Sequence, residues 1–217
     1  MRKIVSILAL ALGAALVFGQ DIALPKPAAK IGADLLDSIK MRYAARAFVA
    51  KDVSQADLAT ILWAADGLKG TPDAVSAASK AGGTFPVSGD VNYVNLYVLT
   101  AKGAYRYDPA GNALKQVATM DIRKEVTPEF IANSAFMLVF TKDATKIPAF
   151  LKSNPVMADQ LAVGTASYGS ENAALAAGVL KIGSIVMFNI KPPAVADGLK
   201  LSKDESPLFI MQLGYTQ

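Results

Sequence analysis

Arg42 and Arg46, four residues apart in "SIKMRYAARAF", are the side chains of this sequence best suited to chemistry with an anion. Their planar guanidinium forks can grip phosphate oxygens two at a time. Upstream, Leu35, Leu36, Ile39 and Tyr43 in "GADLLDSIKMRYA" recur at a helical spacing, and helical residues four apart share a face. The pattern leaves two readings open. Either the pair clamps one anion, or it complements the negative end of a helix dipole, worth about 0.3–1 kcal/mol.

The rest of the reactive repertoire is narrow. The 217 residues contain no cysteine and no histidine, which removes Ser–His and Cys–His nucleophilic systems, imidazole metal ligands and disulfides. Ser170 and Glu171 lack a histidine partner and read as helix-surface or packing residues. No calcium loop and no phosphate-cradling glycine motif is present. An enzyme with this composition borrows its reactive chemistry from a cofactor. The formal charge of +4 is not gathered into a Lys/Arg tract, so a nucleic acid is not an expected partner.

The elements that must position the arginines follow from periodicity and turn chemistry. Residues 1–19 carry Arg2 and Lys3, an apolar run from Ile4 to Phe18 and small residues before Gln20. That layout is a secretory signal peptide, too short for a membrane span. The expectation is an exported protein, periplasmic or extracellular, with no membrane attachment after cleavage. Residues 20–32 read as an extended Pro/Ala linker and 33–217 as one domain. Ser54 and Asp57 open a second helix that stops at Gly67, and 67–90 reads as a long loop. Strands follow in "VNYVNLYVLT", "SAFMLVFT", "SIVMFNI" and "PLFIMQLGY", and a hairpin in "GAYRYDPAGNALKQV", where Tyr105 and Tyr107 read as cross-strand packing. "TPEFIAN" and "PPAVADGLKL" read as short helices. A long helix is expected from Pro155 to about Leu180, rich enough in Ala and Gly to lie close against another helix or a flat ligand. Trp63 reads as core or dimer interface. The order predicts an α+β layered fold, one mixed, mainly antiparallel sheet flanked by helices.

Several of these segments, in order, resemble the nitroreductase-like flavoprotein superfamily, especially its short, often secreted members. "RYAARAF" is similar to the family's arginine-rich opening, "ILWAADG" to its second helix and "TFPVSGDVN" to its flavin loop. "GAYRYDPAGNALK", "SENAALAAGVLKIGS" and "MQLGY" resemble the later hairpin, helix and closing strand. The resemblance implies a homodimer holding flavin mononucleotide (FMN), which passes a hydride from a reduced nicotinamide to a small-molecule electron acceptor. It places Arg42, Tyr43, Ala44 and Arg46 at the flavin phosphate and Pro86, Val87, Ser88 and Asp90 along the ring, with Asn172 matching a family asparagine. The chain departs from the family pattern at Ala44 and Val87 (serines in the family), Asp90 (an asparagine) and Met187 (an arginine). Those departures, with the export signal, fit an alternative: an exported, non-catalytic protein of the same fold that binds another ligand or serves in assembly.

Overall fold

The computed structural model describes residues 20–69, 83–85 and 91–217. Its centre is a seven-stranded sheet: β1 (Ile22–Ala23), β2 (Val94–Thr100), β3 (Gly103–Asp108), β4 (Ala113–Ala118), β5 (Phe136–Asp143), β6 (Ile182–Met187) and β7 (Glu205–Tyr215). The spatial order is β1-β4-β3-β2-β5-β7-β6, and every neighbouring pair is antiparallel. Four helices flank it: α1 (Leu35–Met41), α2 (Gln55–Asp66), α3 (Pro155–Val179) and α4 (Pro192–Leu199). The expected α+β layering is therefore present, and the one parallel pairing among the described residues is an isolated bridge, Ala44 to Ser184.

Alternation along the strands divides the core in two, because successive side chains point to opposite sides of a sheet. Leu96, Val98, Leu138, Phe140, Phe209 and Met211 face α2 and α3. Tyr97, Leu99, Met137, Val139 and Ile210 pack with Val195 and Leu199 of α4 on the other side. β5 is covered on both sides, which is why "FMLVF" reads as an unbroken apolar run.

Three expectations change. The linker is not free: Ile22 and Ala23 pair with Leu114 and Ala113, and Asn112 donates to the carbonyls of Leu24 and Pro25. The backbone of β4 would otherwise end the sheet unpaired, and this segment satisfies it. "TPEFIAN" forms turns rather than a helix. The buried Gln212 accepts from the Ile131 amide and donates to the Glu129 carbonyl, and so replaces the intrahelical partners those groups would need. The third change concerns α1. Its backbone is helical over Leu35–Met41 with Asp34 as the cap, but Leu35, Leu36, Ile39 and Met41 point outward while Ser38 is buried.

α3 accounts for its small residues. A Cβ at Gly169 would lie 2.5 Å from the Ala65 carbonyl oxygen of α2, and one at Gly178 would lie 3.0 Å from the Arg42 amide nitrogen. Close backbone approach to α2 and to the end of α1 needs glycine at both positions. The helix-against-helix expectation holds, and the small-residue side is covered within one chain.

Candidate functional site

The opening arginines are not on one helix. α1 ends at Met41, and Arg42 has φ −72° and ψ 131°, extended backbone. The Ala45 amide donates to the Ser184 carbonyl at 2.9 Å, so residues 42–46 run along the edge of β6 rather than continuing the coil. Four extended residues span about 13 Å, against about 6 Å on a helix. The shared-face argument for Arg42 and Arg46 therefore fails.

The two guanidiniums have different surroundings. Arg42 is half-buried and its Nε lies 3.3 Å from Glu171 of α3. The sequence reading of Glu171 as a helix-surface residue missed this pairing. Ser170 is buried and donates to the Ser167 carbonyl, as a packing residue would. Arg46 is exposed and has no ion-pair partner within 4.0 Å among the described residues. It borders a cavity of about 470 Å³ together with Tyr43, Ala44, Phe48 and Thr216. The Tyr43 hydroxyl shares a hydrogen bond with the Thr216 hydroxyl. Ala44, whose side chain is a single methyl group, lines the same cavity. These residues fit the phosphate end of an FMN molecule: one unpaired guanidinium with a cavity beside it, and one whose terminal nitrogens make no hydrogen bond among the described residues.

Pro86, Val87, Ser88 and Asp90 lie outside the described residues, as does the signal segment 1–19. The residues just before them are anchored firmly. The Gly67 amide donates to the Thr84 hydroxyl at 3.1 Å, Thr84 N donates to the Gly67 carbonyl at 3.0 Å, and Asn172 Nδ2 donates to the Thr84 carbonyl at 3.0 Å. Glu171 and Asn172, adjacent on α3, thus tie down the arginine segment and the approach to the loop respectively. Met187, at the position of a family arginine, offers its sulfur to Gln212 Nε2. Trp63 is half-buried, its indole N–H donating to the Leu68 carbonyl. Tyr105 and Tyr107 sit opposite Gln116 and Leu114 across the hairpin, the cross-strand positions expected, and both are buried.

A second polar constellation escaped the sequence reading. Asp66, at the end of α2, accepts from Asn92 Nδ2 at 2.9 Å, and burial pushes its carboxyl up to about 7. Asn95 sits in the buried strand β2 and meets Arg106, Lys146 and Glu205. The available signal was an asparagine inside "VNLYVLT", an unlikely residue for a strand covered on both sides.

An antiparallel sheet carrying helices on both sides, with a guanidinium-bearing segment beside β6, defines a layered α+β fold. The sequence profile of the Nitroreductase family matches residues 39–215, and the chain belongs to that family. A candidate nitroreductase of Ralstonia eutropha JMP134 superposes with a TM-score of 0.80 at 24% identity, covering 93% of this chain and 91% of that one. A candidate nitroreductase of Anabaena variabilis ATCC 29413 gives 0.68 at 18% identity over 97% of this chain and 45% of that one. The NADPH:FMN oxidoreductase of Vibrio harveyi, in complex with NAD+, gives 0.58 at 16% identity over 84% and 68%. At these identities the structures establish the fold. No curated protein matches the sequence. Family membership supports a flavin oxidoreductase type of function at the level of the family. Among the described residues, no helix is long and apolar enough to cross a membrane, and no cluster of acidic residues could hold a metal ion.

Proposed function

We propose that the protein is an FMN-dependent oxidoreductase of the nitroreductase type, with the FMN phosphate held on the 42–46 segment. Arg46 is the principal cation and the terminal nitrogens of Arg42 add a second contact, with Tyr43 and Ala44 beside them. The observation that carries this reading is Arg46, an exposed guanidinium without an ion pair at the rim of a 470 Å³ cavity. Bound FMN would supply the family's two-electron chemistry, taking a hydride from a reduced nicotinamide and passing it to a small-molecule acceptor. Pro86, Val87, Ser88 and Asp90 are the residues proposed to face the ring, and Asn172 holds the approach to them through Thr84.

The outward apolar residues of α1, with Met157 and Tyr168 of α3, support a homodimer in which a second copy covers them. Export, with removal of residues 1–19, completes the reading. Neither nucleic acid nor a membrane surface has a part in it.

The test is reconstitution followed by titration. The purified protein should take up FMN with a flavin absorption spectrum and bind riboflavin more weakly. Arg46→Gln should weaken FMN at least tenfold, equivalent to about 1.4 kcal/mol, with the circular dichroism spectrum unchanged. Equal affinity for FMN and riboflavin would overturn the phosphate assignment. A second reading is the exported, non-catalytic protein. It is favoured by the Arg42–Glu171 pair at 3.3 Å and by methionine at position 187. A chain that stays colourless after reconstitution at millimolar FMN would select it.

A further inference from the structure

A second cavity, of about 300 Å³, opens where the end of α2 meets the start of β2 and the end of β3. None of its lining residues belongs to the Arg42–Arg46 segment. Its walls differ in chemistry. Arg106, Lys146 and Asn95 make one side cationic, while Phe85, Val94 and Leu96 make another apolar.

The cationic side is built rather than incidental. Asn95 is 5% exposed, and its Oδ1 accepts from Arg106 Nη2 at 2.9 Å and from Lys146 Nζ at 2.8 Å. One neutral oxygen therefore holds two cations together. Its Nδ2 donates to Glu205 at 2.8 Å, which fixes the amide so that the oxygen must face them. Glu205 also accepts from Tyr97 and Thr141. Lys146 has Asp143 at 3.4 Å. Arg106 has no carboxylate within ion-pair distance among the described residues. Two like charges converging on a neutral group repel each other, and an anion placed between them would relieve that repulsion.

The cavity also holds an unused donor. Tyr107 is 4% exposed and lines the same space, yet its hydroxyl makes no hydrogen bond among the described residues. Among the described residues Ser134 Oγ is the sealed side-chain atom without a partner, so the Tyr107 hydroxyl is open to the cavity and free to donate there.

We propose that this cavity is a binding site for a small organic carboxylate. Its carboxylate lies between Arg106 and Lys146, the Tyr107 hydroxyl adds a neutral donor, and its apolar end rests on Phe85, Val94 and Leu96. A volume near 300 Å³ is at the small end of ligand sites and suits a single ring.

Binding is linked to a proton on Asp66. Burial holds its carboxyl at about 7, opposed by Asn92, Lys146 and Arg106; Tyr107 and, beyond it, Asp108 also face it, while Asp143 lies beside Lys146 and Glu205 beside Asn95. An ionised Asp66 repels the incoming anion and a protonated one does not, so affinity falls as pH rises through neutrality.

Calorimetric titration of the purified protein with benzoate, benzamide and inorganic phosphate tests the site. Benzoate should bind, and benzamide and phosphate each at least tenfold more weakly, since one lacks the charge and the other the apolar end. Arg106→Gln and Lys146→Gln should each weaken benzoate at least tenfold, and Arg106→Lys should weaken it less than Arg106→Gln. Asp66→Asn should abolish the loss of affinity between about pH 6 and pH 8. If Arg106→Gln does not fold, Lys146→Gln and Tyr107→Phe carry the test. Benzamide or phosphate binding as tightly as benzoate, no benzoate binding at millimolar concentration, or variants indistinguishable from the parent would overturn the assignment. FMN uptake is read separately, so failure of this site and failure of the flavin reading are distinguishable.

Discussion

The two sides of α3 are built to different rules. Toward α2 and the sheet, Ala162, Ala166, Gly169 and Ala173 are buried, and there is no room for one more carbon at Gly169. On the outer side Met157 and Tyr168 are exposed, and a Cβ at Gly164 would meet nothing within 4 Å. Small residues on the same helix therefore do two jobs. On the inner side they permit contact between backbones, and on the outer side Gly164 leaves an open strip flanked by large apolar groups. The inner side specifies how one chain folds; the outer side is what a second copy would meet.

The largest expected effect separates the two sides directly. Phe140, packed on Phe209 beneath α3, should lose about 3–5 kcal/mol on replacement by alanine. Tyr168→Ala should change the stability of the separated chain by less than about 0.5 kcal/mol. Urea unfolding at submicromolar concentration checks both. Light scattering at higher concentration should then show Tyr168→Glu at half the mass of the parent. A Tyr168 variant that unfolds as readily as the Phe140 variant would break the comparison.

Glycine swaps sharpen it at smaller scale. Gly169→Ala forces its methyl against the Ala65 carbonyl and should destabilise by about 1–3 kcal/mol. Gly164→Ala should stabilise by roughly 0.5–1 kcal/mol, because alanine loses less backbone entropy in a helix. Opposite signs in thermal unfolding are the expected result.

The last prediction is a trend with pH and belongs to Asp66, the polar end of α2 on the inner side. Between the ordinary carboxylate value of 3.8 and about 7 the folded chain keeps a proton that the unfolded chain has released. Its contribution to stability is therefore greatest at low pH and is lost as pH rises through that window. Asp66→Asn stays neutral throughout. Its unfolding midpoint relative to the parent should rise progressively from pH 5 to pH 8, and a constant difference would show that Asp66 titrates as an ordinary carboxylate.

Sequence patterning alone determined β2, β5, β6 and β7, the β3–β4 hairpin, α2, α3 and α4, because alternation, caps and turn residues act over a few neighbours. It also determined that α1 is helical. Tertiary structure decided the rest. Apolar spacing says which residues of α1 share a side but not where that side points, and here it points outward. The helix stops before Arg42 because Gly178 brings α3 against it and Ser184 takes the next backbone groups into a bridge, partners more than a hundred residues away. The Asn95–Arg106–Lys146 cluster comes from three separate segments, β2, β3 and the turn after β5, and only their packing brings them to one oxygen. Local sequence fixes what depends on neighbours along the chain, whereas a site assembled from distant segments exists only once their backbones are paired.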